Sequence, residues 1–279
     1  MWSCRRRTKR LLRYDRQPGC PQPELACCAI VGLKTTWGRV PSGGVWPLAP
    51  SLDTVGPLAR DVAGVAAGMR LLEPDWRIAP RSARLVGRLR VDGVEPAVDD
   101  VIDAALHAAG LVVREMLLPG CDQTYDAIDT IILDELWSAH RTLLDVEGVG
   151  AFVNDGLHAG RAITGQRLAQ AMAARGAWQA EVTEVTDGWR ILALPTLVAT
   201  PPPLTDFAGF PLTRLTAPFN LAGVPALSMP IPTPGFPVPV SLQLVGPMHS
   251  EDLLCATGLT IERSLNLAAL RDREQPKDR

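Results

Sequence analysis

Histidine, cysteine and carboxylate spacings come first, because they would carry metal or nucleophilic chemistry. The four histidines, His107, His140, His158 and His249, form no His-Glu-x-x-His motif and no pair at i, i+4, the spacing that sets two imidazoles on one helix face. The six cysteines, Cys4, Cys20, Cys27, Cys28, Cys121 and Cys255, are scattered without a Cys-x-x-Cys. We expect no metal site and read the cysteines as reduced thiols of a cytoplasmic protein. His107 falls in a helical apolar pattern and reads as packing or surface. Asp53, in Ser51-Leu52-Asp53-Thr54-Val55-Gly56, sits in a compact loop between packed segments. Its carboxylate is expected to satisfy backbone N–H groups rather than to serve as a general base.

Such groups need a folded frame, and the composition provides for one. Hydrophobic residues make up 47% of the 279 and charged residues 21%, which excludes disorder as the main state. The 24 Gly and 25 Pro argue against a helical bundle. No apolar run reaches the ~18–20 residues of a membrane span. Charge is uneven: residues 1–16 hold seven basic side chains against Asp15 alone, so this stretch is +6 and the remainder −8. A twin-arginine export signal would need an apolar stretch after Arg5-Arg6, and none follows. The acidic body offers no basic face to extend a nucleic-acid contact. Residues 1–25 are therefore expected to be a basic leader outside the fold, 26–270 the folded domain, and 271–279 a polar tail.

Within that domain, Cys28–Leu33 reads as a buried strand or a tight strand–turn. Apolar spacing over Pro57–Leu72 gives a helix with one buried face. Strand Arg84–Val91, helix Val98–Ala109 stopped by Gly110, and strand Leu111–Met116 follow in the order of an α/β layer. Residues 124–187 are mainly helical, with Thr164 as an N-cap. Ile191–Leu194 is a strand ended by Pro195. Residues 195–239 hold twelve prolines and are expected to be irregular but packed. Strand Pro239–Val245 and a helix from Ser250 to Leu265 complete the chain.

Three blocks carry a family resemblance. Cys28-Ala-Ile-Val-Gly-Leu-Lys-Thr-Thr-Trp-Gly-Arg-Val40 with Pro47-Leu-Ala-Pro-Ser-Leu-Asp-Thr-Val-Gly-Pro-Leu-Ala-Arg60 is the first. The others are Ala193-Leu-Pro-Thr196, and Thr216-Ala-Pro-Phe-Asn-Leu-Ala-Gly-Val-Pro-Ala-Leu-Ser228 with Pro239-Val-Ser-Leu-Gln-Leu-Val-Gly246. In order and spacing they resemble the amidase signature family over residues 27–266. The resemblance implies an α/β fold, a twisted mixed sheet wrapped by helices. It also implies hydrolysis of a small-molecule amide without metal or cofactor; the charge distribution and the lack of a long apolar run give the expectation of no nucleic-acid and no membrane partner. The family's reaction uses a Ser nucleophile, a second Ser beside a cis peptide and a neutral Lys base. That Lys is needed because a Ser hydroxyl is a weak nucleophile at pH 7.

Those catalytic parts find no match. The nucleophile belongs to a Gly-Gly-Ser-Ile-Arg-x-Pro stretch about twelve residues before Gly32, which puts Cys20 at its position. Gly19 precedes Cys20, but Pro18 replaces the other Gly, Pro21-Gln22 replaces Ile-Arg, and Glu24 stands where the Pro should be. The resemblance thus assigns no catalytic residue, with Cys20 only a positional counterpart. Gly32, Lys34, Asp53, Gly56, Asn220 and Gly223 are carried over as structural motif residues. The expectation is an incomplete, catalytically incompetent amidase chain in which Cys28–Leu33 and Ile191–Leu194 each lack a neighbouring strand. A non-catalytic ligand-binding or partner-completing protein is the alternative, with an amidotransferase glutaminase-type subunit behind both.

Overall fold

The computed structural model describes residues 22–274 apart from 204, 206–208, 234–235 and 237. Seven strands form one mixed sheet: β1 (Val31–Lys34), β2 (Leu58–Ala59), β3 (Leu85–Leu89), β4 (Val112–Met116), β5 (Leu192–Pro195), β6 (Ala226–Ile231) and β7 (Val240–Val245). Their order is β2-β1-β6-β7-β5-β3-β4. β3 runs parallel to β4 and β5, and the other pairs are antiparallel. Among the described residues no helix is long and apolar enough to cross a membrane.

Helices cover both faces. On one side α2 (Val62–Leu72), α3 (Pro96–Ala108) and α8 (Glu251–Glu274) bury Val65, Met69, Ile102, Leu106, Leu254 and Ile261 against Leu33, Leu227, Leu242 and Leu244. On the other, α4 (Tyr125–His140), α6 (Gly165–Trp189) and α7 (Ala217–Ala222) press Ile131, Trp178, Val182 and Phe219 onto Leu192, Leu194, Ala226 and Val245. The two sets alternate along each strand, as a pleat covered on both sides requires. A short α1 (Gln22–Cys27) and α5 (Ala151–Arg161) complete the helices.

Local chemistry sets the boundaries. Asp61 accepts a bond from Gly64 N (2.6 Å) and starts α2 there, so the helix expected from Pro57 begins at Val62, and Leu58–Ala59 is instead a strand edge on β1. Ala29, with φ of 53°, turns the chain out of α1, which delays β1 to Val31. Thr164 caps α6 through Arg167 N at 3.2 Å. Beyond the expected stop at Leu265, the good helix formers Leu267-Ala-Ala-Leu-Arg-Asp-Arg-Glu274 continue α8.

Two expectations are corrected. β1 lies between β2 and β6, and β5 between β7 and β3, so neither lacks a neighbour. The stretch 195–239, expected to be irregular, contains α7 and the central strand β6. Of the expected leader, residues 22–25 belong to α1, and the rest, Cys20 included, lies outside the described residues.

Candidate active-site face

The face of the sheet under α1 and α7 is the polar one. Strand register fixes which side chains share it: Gly32 lies opposite Ser228, Ser228 opposite Gln243, and Leu194 opposite Gln243. Two residues before Gln243, Ser241 points the same way. Thr196, just past β5, has its N–H bound to Ser241 O at 2.7 Å. The hydroxyls of Thr196, Ser228 and Ser241 close a triangle with sides of 3.0, 3.0 and 2.9 Å. All three residues are buried. Each hydroxyl has one proton to give, and three in a ring can pass their bonds around. To attack an acyl carbon, a hydroxyl needs a base that takes its proton. Here the neighbouring acceptors are the other two hydroxyls and, at 3.4 Å from Ser241, the Met229 carbonyl. The triangle ties β5, β6 and β7 together.

The motif residues surround this patch. A β-carbon on Gly32 would fall 1.9 Å from Leu25 Cδ1, so the missing side chain is the seat of α1. One on Gly56 would fall 1.9 Å from Leu33 O; the loop crosses β1 with no room for a side chain. Gly223, at φ of 78°, ends α7 in the left-handed region. Lys34 is buried and its Nζ donates to Val224 O just beyond. Asp53 accepts from Leu48 N (2.9 Å) and Ala49 N (3.2 Å). Asn220 lies on α7, 4% exposed.

The loop from Thr36 to Gly56 is held by residues that sequence reading did not single out. Arg175 on α6 donates to Ser51 Oγ (2.8 Å) and Ser51 O (2.7 Å), while Glu135 on α4 accepts from Ser51 N (2.9 Å). Trp46 stacks on His140 with ring centres 5.2 Å apart, and His140 Nε2 lies 2.5 Å from Pro47 O. Since a carbonyl only accepts, that nitrogen carries the proton. A lone Arg in a polar helix stretch gives no sign that it will be buried, so only the fold reveals this clamp.

A second charged group lies where the loop meets α8. Arg39 bonds Glu73 through Nε (2.8 Å) and Nη2 (3.0 Å), and pairs with Glu251, which also accepts from Thr36 N at 2.7 Å. Hydrogen bonding from Arg39 holds the Glu73 carboxyl below its ordinary range against the opposing pull of burial. Beside this node is an open depression of about 620 Å³ lined by Trp76, Arg77, His249 and Asp252 among others. Among the described residues no three His, Cys, Asp or Glu side chains converge as a metal site would need.

A sequence model of the family described as Amidase matches residues 25–255. This chain belongs to the amidase family. Among curated amidase-family relatives, the 2-amino-5-chloromuconic acid deaminase of Comamonas testosteroni is 32% identical, over 83% of this chain and 55% of its own length. A glutamyl-tRNA(Gln) amidotransferase subunit of Methanothermobacter thermautotrophicus is 29% identical, over 78% and 55%. A crystal structure of an amidase superposes with a TM-score of 0.79 at 27% identity, covering 87% of this chain and 60% of that one. The 6-aminohexanoate cyclic dimer hydrolase in complex with substrate gives 0.74 at 21% identity, over 89% and 63%, and supports the fold alone. The chain thus spans a little over half the length of the curated relatives it matches.

Proposed function

We propose that this chain serves hydrolysis of a carboxylic amide, in which water is added across the C–N bond to give a carboxylate and ammonia or an amine. The observation that carries this reading is the amidase-family match over residues 25–255, which spans both the loop-bearing first block and the polar sheet face. We further propose that the chain binds amides but does not turn them over alone. The hydroxyls on that face are committed to one another at 2.9–3.0 Å, and a serine without a proton acceptor stays a weak nucleophile. A non-catalytic ligand-binding role shares this support. The glutaminase-type reading rests on the amidotransferase relatives, whose names make glutamine a substrate to try.

Ammonia release from benzamide, propionamide and glutamine is the test. The purified chain is expected to give no rate above buffer while still binding one of these amides. Turnover that survives Ser228→Ala and Ser241→Ala but is abolished by Cys20→Ala would overturn the inactive reading and make Cys20 the nucleophile.

A further inference from the structure

More than about nine in ten buried polar groups in folded proteins have a hydrogen-bond partner, so an exception asks for a reason. Asn220 comes close to one: nearly buried, it keeps a narrow opening to solvent. It is 4% exposed, and its carboxamide makes no hydrogen bond among the described residues. The backbone around it is well anchored. Asn220 N donates to Thr216 O at 3.1 Å, and Asn220 O accepts from Gly223 N at 3.0 Å. Trp178 Nε1 holds Pro218 O at 2.6 Å, Trp37 N holds Gly223 O at 2.9 Å, and Lys34 Nζ holds Val224 O. Only the side chain of Asn220 is left uncommitted, on a helix whose other members (Ala217, Pro218, Phe219, Leu221, Ala222) are apolar and buried. A leucine would pack in such a helix without the cost of burying an unpaired amide.

A second carboxamide points to the same region. Gln243 Nε2 donates to Leu215 O at 2.8 Å, in the lead-in to α7, while its Oε1 is sealed without a partner. Gln243 lies opposite Ser228 in the register of β6 and β7, so it belongs to the polar face beneath α7. The Asn220 amide, unlike the Gln243 oxygen, is not sealed from solvent. An anchored helix beside the polar face thus holds a nearly buried amide that has no protein partner among the described residues.

We infer that Asn220 is a ligand-contacting residue, whose carboxamide forms a reciprocal pair of hydrogen bonds with the carboxamide of the substrate. The inference rests on the amide-recognition reading above and adds the residue that performs the recognition. A carboxamide has two N–H donors and one carbonyl acceptor; two of them, side by side in one plane, satisfy each other. A carboxylate product has acceptors only. It takes a bond from Asn220 Nδ2 and meets Oδ1 oxygen to oxygen, so the site prefers the amide to the acid.

The test is a titration of the full 279-residue chain with benzamide and, separately, benzoate, each followed by saturation-transfer NMR. The native chain is expected to bind benzamide at least ~10-fold more tightly than benzoate, the loss typical of a hydrogen-bonding group left unpaired. Asn220→Ala should abolish that preference by weakening benzamide ~10-fold or more with little change for benzoate. Asn220→Asp, of the same shape but with acceptors only when ionised, should also weaken benzamide by losing one bond of the pair, and should weaken benzoate more by like-charge repulsion; its benzamide loss decides the matter if the alanine variant does not fold. Equal benzamide affinity in the native chain and either folded variant would remove Asn220 as the contact and leave amide recognition standing. No benzamide binding by the native chain would overturn amide recognition itself.

Discussion

Arg39 and Glu251, 212 positions apart, form an ion pair that joins the loop after β1 to the first turn of α8. The Glu251 side chain is fully buried, and Arg39 is divided between it and the partly exposed Glu73. Removing one partner of a buried pair strands the other charge and typically costs ~3–5 kcal/mol. Arg39→Met should therefore lower unfolding free energy by about that much in a urea titration, whereas Glu73→Gln should cost about 1 kcal/mol or less. A loss under about 1 kcal/mol for Arg39→Met would mean that Thr36 N alone suffices for Glu251.

Acid should unfold the protein partly through Asp103. Burial works to push its carboxyl up, but hydrogen bonds from Arg90 and Arg88 outweigh it and hold it below the ordinary 3.8. A depressed carboxyl stabilises fully above its unfolded value and stops doing so as pH falls through the folded one. Asp103→Asn should thus lower Tm at pH 7, with the gap to the native chain closing well below pH 3.8. A gap that stays constant over that range would show that charge is not what Asp103 contributes.

Glu262 has the opposite sign. Burial, with a smaller push from Asp61, raises its carboxyl above the ordinary 4.5 even though Val62 N donates to it at 3.3 Å. The ionised form therefore opposes folding, and the penalty is complete above the folded value. Glu262→Gln is expected to raise Tm at pH 7 and to lose that advantage below pH 4.5. A lower Tm at pH 7 would mean the carboxylate bond to Val62 N outweighs the burial.

Gly56 and Gly32, both close-packed at β1, should respond differently to alanine. At Gly56 the added carbon meets a backbone oxygen of β1, which cannot move without the sheet. At Gly32 it meets Leu25, a side chain with other rotamers. Gly56→Ala should yield little folded protein. Gly32→Ala should fold with reduced Tm and be largely repaired by adding Leu25→Ala. Failure of that repair would show that α1 does not seat on Gly32.

Thiol labelling checks the packing of α8. Burial, reinforced by Glu251 and Asp252, pushes the Cys255 thiol up to about 12, while Cys28 is exposed. The thiolate is the reactive form. Iodoacetamide at pH 8 should modify Cys28 in the native protein and Cys255 only in denaturant, as peptide mass mapping would reveal. Rapid native labelling of Cys255 would mean that α8 opens.

How far the sequence can be read depends on the kind of signal each element carries. α3 is legible because Val98, Ile102 and Leu106 recur at helical spacing and Gly110, at φ of 69°, stops the helix. β6 is hidden: Ala226–Met229 and Ile231 are all buried, so no alternation shows, and Pro225, Pro230 and Pro232 disguise it as a loop. The family blocks locate Gly32, Gly56 and Gly223 but not their reasons, which lie in Leu25, Leu33 and the end of α7. The hydroxyl triangle draws on positions 196, 228 and 241, and only strand register brings these together.

The strand order also governs how the chain leaves the ribosome. β1 is made long before its central-side partner β6: Gly32 waits for Ser228, roughly 200 residues later. At ~5–20 residues per second, translation alone imposes ~10–40 s before that pair can form. Meanwhile Val31 and Leu33, buried in the finished sheet, have α1, β2 and α2 beside them but no strand on the β6 side. Until β6 arrives, one edge of β1 stays open, and an open apolar edge is a template for pairing with another chain.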